Sequence, residues 1–395
     1  MADLTNPPPS QPLVRAGDGN EFETCWGAIR GALADIHNRN AGKLSFEQLY
    51  RASYKIVLRK KGELLYSKVN EFEQQWFTDK IIPAIWENIS QNFVNITLGY
   101  MSDTGANERR QMGEKFLRGM KESWENHIFS MNMIADVLMY LDRGYSQDNR
   151  RPPIFAATIG LFRDHVLRAP LAPTASDGTV FELLNAIILD QINMEREGDA
   201  IDKNLLHKCI NMLESLHETD DEGESEKLYL STFEPIFLAA SREYYKGECS
   251  RLIREGDATI WLRHTQRRLV EESDRSRTTT SLLTEAKVAK VVEDELIQAH
   301  LLEFLALEGS GLKYMIDNDR LEDLCILYQL ISRVDPKKEA LKNILSARVV
   351  ELGLEIEKVL KDTDFSVPVA ADAATGTGEG DDARPQPLTA AAQQT

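Results

Sequence analysis

Apolar residues recur along most of this 395-residue chain at intervals of three and four, the spacing that lines one face of an α-helix. Phe181, Leu184, Ile188 and Ile192 keep that interval. So do Val288, Val292, Leu296, Ala299 and Leu302, and again Leu321, Leu324, Tyr328 and Ile331. Sustained strand-type alternation is absent, so the pattern predicts an all-α chain. Polar interruptions at 102–107, 147–153, 169–178, 218–226, 272–280 and 309–311 predict the breaks between helices. Helices of about 12 to 25 residues joined by short loops suit stacked repeats, each burying its apolar face on a neighbour. A faint internal similarity points the same way: Thr232-Phe-Glu-Pro-Ile-Phe237 echoes Ser45-Phe-Glu-Gln-Leu-Tyr50.

One stretch departs from simple amphipathicity. Ser45 followed by Gln48 reads as a capping box, which starts a helix at Phe46. At about 100° per residue, Phe46, Leu49, Tyr50, Tyr54, Ile56, Val57 and Leu58 cover roughly 200° of the wheel, against the stripe of about 100° that a single core requires. Phe46, Tyr50 and Tyr54 form an aromatic edge; Arg51, Lys55 and Arg59 hold the opposite side. Such a helix can bury one face at home and offer the aromatic edge to another protein, because Tyr and Arg are enriched at binding hot spots. It can equally be buried on two sides, and pattern alone does not choose. A second stretch, 128–143, has a core stripe of Met131, Ile134, Leu138 and Leu141, with Tyr140 and Arg143 on another flank and Tyr145 just beyond.

Charge and composition narrow the function. Lys and Arg number 46 against 63 Asp and Glu, a net charge of −17. So acidic a chain is a poor ligand for nucleic-acid phosphates, and its basic clusters are short. Of 14 prolines, seven lie between the terminal segments, which favours long helices. The four cysteines (Cys25, Cys209, Cys249, Cys325) are scattered, without C-x-x-C spacing, as expected of core residues in a reducing compartment. No apolar h-region opens the chain and no run reaches membrane-helix length, so a soluble intracellular protein is expected, in cytoplasm and nucleus, with no membrane partner. The Asn88 and Asn95 sequons then read as chance matches. Residues 1–20 and 363–395 are too poor in large apolar groups to order themselves and predict disordered tails.

Catalytic signatures are missing. No G-x-S-x-G occurs. His207 and Cys209 lie two apart on a helix and point apart, so no metal site is expected there. Gly376-Thr-Gly-Glu-Gly380 has no lysine and follows no strand. Asp220-Asp221-Glu222 sits among Gly and Ser residues, in keeping with a loop rather than a magnesium-binding helix. No catalytic residue, metal or cofactor is expected.

At this point the ordered set of motifs resembles the cullins, the cullin-3-like members most of all. Leu44-Ser-Phe-Glu-Gln-Leu-Tyr-Arg51, Tyr54 and Val57-Leu58 lead into Gly62-Glu63 and Leu65-Tyr66. Met133-Ile134, Asp136-Val-Leu-Met-Tyr-Leu-Asp-Arg143 and Tyr145 follow, then Leu161-Phe-Arg-Asp164, Phe233-Glu234 and Pro235-Ile-Phe-Leu238. Glu322-Asp-Leu324, Leu327-Tyr328 and Leu330-Ile-Ser-Arg-Val334 complete the set. The resemblance implies an elongated stalk of three cullin repeats, each a five-helix bundle, at 21–150, 151–265 and 266–362. It implies a non-catalytic scaffold of a cullin-RING ubiquitin ligase whose first repeat holds a BTB-domain substrate adaptor through its second and fifth helices. Carried onto matching positions, the adaptor-binding residues are Ser45, Phe46, Glu47, Tyr50, Arg51, Tyr54, Tyr140 and Arg143, with Leu13 and Val14 of the N-terminal extension as further candidates. A dimeric adaptor would then bridge a 2:2 assembly. Nothing here resembles the cullin C-terminal region that docks the RING-box protein, so the chain reads as the N-terminal half. The competing expectations are an unrelated helical-repeat scaffold of the tethering or trafficking type, and an all-α enzyme built on Asp220–Glu222.

Overall fold

The computed structural model describes residues 17–87, 105–171, 178–219 and 226–362. The chain divides into two compact units, one formed by Met1–Glu243 with Glu271–Ala289, the other by Tyr244–Val270 with Lys290–Thr395. Among the described residues there is no strand, only two isolated antiparallel pairings, Pro170 with Thr179 and His217 with Lys227. The all-α expectation holds.

The first unit opens with α1 (Gly17–His37), α2 (Phe46–Leu58), α3 (Gly62–Trp76) and the short α4 (Ile82–Trp86). The long α5 (Ala106–Val137) follows, then a short turn, Met139–Leu141, and a wider π-type turn, Asp142–Ser146. Helices α6 (Ile154–Phe162), α7 (Val180–Glu197) and α8 (Lys203–Ser215) come next. Two cores serve the unit. One gathers Trp26, Ile29, Leu33 and Ile36 of α1 with Leu49 and Ile56 of α2, Leu65 and Val69 of α3, and Met131, Ile134, Leu138 and Leu141. These last four are the apolar stripe read from the sequence. The other gathers Phe116, Leu117 and Met120 of α5 with Phe162, Leu184, Ile188, Leu206, Cys209, Phe233 and Phe237.

Capping decides several helix starts. Thr179 and Glu182 form a reciprocal capping box on α7, and Asp202 accepts from the Leu205 amide at 3.0 Å to start α8. Helix α2 starts at Phe46 as expected, but the Ser45 side chain makes no capping bond. The extended Ser45 backbone (φ −89°, ψ 94°) sets the start instead, its carbonyl accepting from the Gln48 and Leu49 amides at 3.0 and 3.2 Å.

Helices α9 (Glu234–Glu255) and α10 (Ala258–Thr278) carry the chain through the division between units. The break expected at 272–280 begins only at its last two residues, since α10 continues to Thr278. The polar run that suggested a loop is instead a buried ion network: Arg196 and Glu272 side chains are both 1% exposed and joined at 2.9 Å. The second unit's core stacks Trp261 on Phe304 with ring centroids 4.5 Å apart, and the Trp261 indole donates to the Leu296 carbonyl at 2.7 Å. Helices α11 (Glu285–Val292), α12 (Leu321–Val334) and α13 (Glu339–Asp362) complete the described chain.

Candidate functional site

Helix α2 buries Leu49, Ala52, Ser53 and Ile56 and leaves Tyr50 and Val57 half-buried. Phe46 and Tyr54 stay exposed, at 38% and 42%. The excess apolar arc is therefore surface, on the side read as an aromatic edge.

A second element completes that edge. Helix α5 breaks at Leu138, whose φ of −98° and ψ of 12° leave the helical region. Leu138 and Leu141 are both fully buried, so two apolar anchors hold the short turn between them against the core. Tyr140 lies on that turn and leans outward onto α2. Its ring centroid is 4.7 Å from that of Tyr50 and 4.8 Å from that of Tyr54, at interplanar angles of 51° and 55°. Tilted pairs of this kind stabilise by about 0.5–1.5 kcal/mol beyond the area they bury. Hydrogen bonding to Tyr140, helped by burial, holds the Tyr50 phenol above its ordinary pKa, while the nearby Arg143 cation works against it.

The sequence-derived residues thus fall into three groups. Tyr50, Tyr54 and Tyr140 come together, with Arg143 near Tyr50 and Phe46 exposed one turn before Tyr50 on α2. Glu47 and Arg51 flank them as an exposed i, i+4 ion pair at 2.6 Å, and Ser45 lies exposed at the head of α2. So open a pair contributes little stability and leaves both groups available to a partner. Leu13 and Val14, like Asp220–Glu222, lie outside the described residues. Tyr145 turns inward, its ring 5.8 Å from that of Tyr66.

Sequence reasoning missed what closes the turn onto α2 and α3. Asp142 accepts from the Ile154 amide at 2.9 Å and from the Ser146 hydroxyl at 3.2 Å, tying the turn to the start of α6. Gly62 and Gly144 supply the clearance; a β-carbon on Gly144 would stand 2.9 Å from Cγ1 of Val57. A glycine flanked by arginine and tyrosine was the available signal.

Among the described residues no group of three or more His, Cys, Asp or Glu could hold a metal ion. Burial pushes the Cys209 thiol up to about 12, and its sulfur lies 3.6 Å from the Leu117 carbonyl it donates to. That cysteine is core. No described helix is long and apolar enough to cross a membrane.

A family model for the cullin alpha solenoid domain matches residues 26–389. The chain belongs to the cullin family. It is 32% identical over 338 residues to Cullin-3 of Schizosaccharomyces pombe, covering 84% of this chain and 42% of that protein. Cullin-3 of Dictyostelium discoideum is 31% identical over 83% of this chain and 38% of its own length. Cullin-3A of Arabidopsis thaliana is 30% identical over 86% and 41% respectively. This cullin chain therefore spans about two fifths of the length of these relatives.

Proposed function

We propose that this cullin chain is a non-catalytic scaffold of a ubiquitin ligase and that the aromatic face of α2 and the turn after α5 recruits a BTB-domain substrate adaptor. One observation carries the reading: Tyr140, from a separate element, closes against both Tyr50 and Tyr54, extending an exposed aromatic platform that begins at Phe46. Two elements fixed to one core present that platform already assembled, so little side-chain entropy is lost on docking. Phe46 and Tyr54 supply apolar area to fill an adaptor groove, and Arg143 supplies a planar donor for carboxylate or carbonyl groups. The similarity to three Cullin-3 proteins supports the same assignment.

Calorimetric titration with a BTB domain tests it, with wild type and Tyr54→Ala side by side and helicity monitored by circular dichroism. The expected result is binding by wild type and a loss of about 2 kcal/mol or more in a still-helical variant, roughly 30-fold in Kd. Equal affinity for both chains, or no binding by wild type, overturns it. Light scattering is expected to show two cullin chains per adaptor dimer; one chain per dimer removes the bridged 2:2 assembly.

A further inference from the structure

The exposed face that ends in Tyr140 begins further back along α5. Glu125, Phe129, Asn132, Asp136, Tyr140 and Arg143 follow one another at intervals of three and four, and all are exposed or half-exposed. Met131, Ile134 and Val137 occupy the opposite, buried side. Phe129 lies on this exposed face of α5, and Tyr140 lies on the turn that follows the end of the helix.

Phe129 is 47% exposed, an unusual position for a phenylalanine with no apolar cover. It is nonetheless held in place. The Arg39 guanidinium stands 4.0 Å above its ring and also donates to the Asn126 side chain. Beside Phe129 lies a groove of about 360 Å³ between α5 and α8, floored by Trp124 and Ile128 and edged by Lys121 and Lys208. Lys121 is neutralised by Glu125 at 3.0 Å. Among the described residues Lys208, on the groove's edge, and Arg39, above the Phe129 ring, meet no carboxylate, so one uncompensated cation lines the groove and a second stands beside it on a chain of net charge −17.

We propose that this groove is a second anchor for the same adaptor, taking an acidic amphipathic helix that neighbours the part seated on Tyr140. The occupant's apolar residue packs on Trp124, Ile128 and the pre-positioned Phe129, as an amphipathic helix lies in a groove. Its acidic flank meets Lys208 and Arg39, which supplies charge complementarity. The exposed face of α5 leads towards the turn that carries Tyr140, so one partner can cover both places. This assignment rests on the adaptor reading and is tested so that the two can fail separately.

The experiment titrates the whole chain with a full-length BTB adaptor and with its isolated BTB domain, using wild type, Phe129→Ala and Lys208→Glu. Both substitutions are at exposed positions, and circular dichroism checks the fold. The expected result is at least tenfold tighter binding of the full-length adaptor, an increment that both variants lose while their affinity for the isolated BTB domain is unchanged. Equal binding of the two adaptor forms, or variants that keep the increment, overturns the second anchor and leaves the aromatic site standing. Wild type binding neither form overturns both. A change in self-association of Phe129→Ala by sedimentation, with adaptor affinity unaltered, assigns the groove to a second copy and equally overturns the proposal.

Discussion

A β-carbon on Gly62 would stand 2.7 Å from the Cβ of Tyr145 and 2.9 Å from its Cγ. The first residue of α3 thus abuts the wide turn that carries Arg143, and the absence of a side chain there is what lets the turn close. Alanine is the better helix former by about 0.5–1 kcal/mol, which alone predicts that Gly62→Ala is stabilising. Overpacking opposes it at about 1–3 kcal/mol, and the obstructing atoms are the rigid base of the tyrosine side chain. The clash wins. Gly62→Ala is expected to lower stability by about 1–2 kcal/mol in urea denaturation; an unchanged or raised midpoint contradicts this packing.

Gly144→Ala probes the same closure from the other side, through Val57. The obstructing methyl, Cγ1, belongs to a half-buried β-branched side chain that is stiff at χ1 and cannot swing clear. The turn must retreat from α2, taking Tyr140 away from Tyr50 and Tyr54. The expected outcome is a several-fold weaker BTB titration although Gly144 itself offers no side chain to an adaptor. Retained affinity in a destabilised variant shows that Tyr140 keeps its place without this contact.

Much of the site was legible because it is written in helical spacing. The Phe46, Tyr50, Tyr54 edge and the Tyr140, Arg143 flank each follow from three- and four-residue intervals. That they meet does not, since it depends on the break at Leu138 and the two glycines. Phe129 was not legible, because an isolated aromatic within an amphipathic helix looks like core until its surroundings are known. Polar residues misled in the opposite direction. Glu272 and Arg275 read as a loop because charged runs are usually solvated, whereas here each is buried by a partner distant in sequence, Arg196 and Glu195.

That network sets a third expectation. Arg196 donates to Glu272 at 2.9 Å and to the Ser241 hydroxyl at 2.8 Å, and Arg275 donates to Glu195 at 2.7 Å and to Glu272 as well. Removing one member strands a buried charge, so Glu272→Ala is expected to cost about 3–5 kcal/mol in urea denaturation. Replacing both ends of the central pair with methionine is expected to cost far less, because no charge is then left unpaired. A double variant as unstable as the sum of Arg196→Met and Glu272→Met removes the coupling.

Lys60 follows α2 with φ of 58°, in the left-handed region, while its amide bonds the Val57 carbonyl at 2.9 Å and the Lys61 amide bonds Ile56 at 3.2 Å. Helix ends of this form favour glycine, since a side chain there costs about 1–2 kcal/mol. Part of that gain is offset by the greater unfolded freedom of glycine. Lys60→Gly is expected to raise stability by about 0.5–1 kcal/mol in a thermal melt. A lower midpoint contradicts the strain.

Acid sensitivity follows from two buried groups that act in the same direction. Burial and the nearby His37 hold His127 well below its usual 6.5, at about 3, despite the bond it makes to the Thr158 carbonyl at 3.1 Å. Below pH 6.5 the unfolded chain takes up a proton there that the folded chain refuses, so stability falls as pH drops from about 6.5 towards 3. Glu248 joins lower down. Burial raises its pKa, but hydrogen bonds and charge from His264 and Arg268 outweigh that and bring it from 4.5 to about 2. Its contribution is complete above pH 4.5 and is lost as pH falls towards 2. Each unit of difference in pKa corresponds to about 1.4 kcal/mol, and the unfolded histidine is already half protonated at pH 6.5, so His127 alone removes about 2 kcal/mol between pH 6.5 and 4.5. Urea midpoints measured from pH 7 down to about pH 2 separate the two groups. His127→Leu is expected to flatten the upper window and leave the lower decline in place; a variant whose midpoints run parallel to wild type throughout excludes His127 as the group responsible.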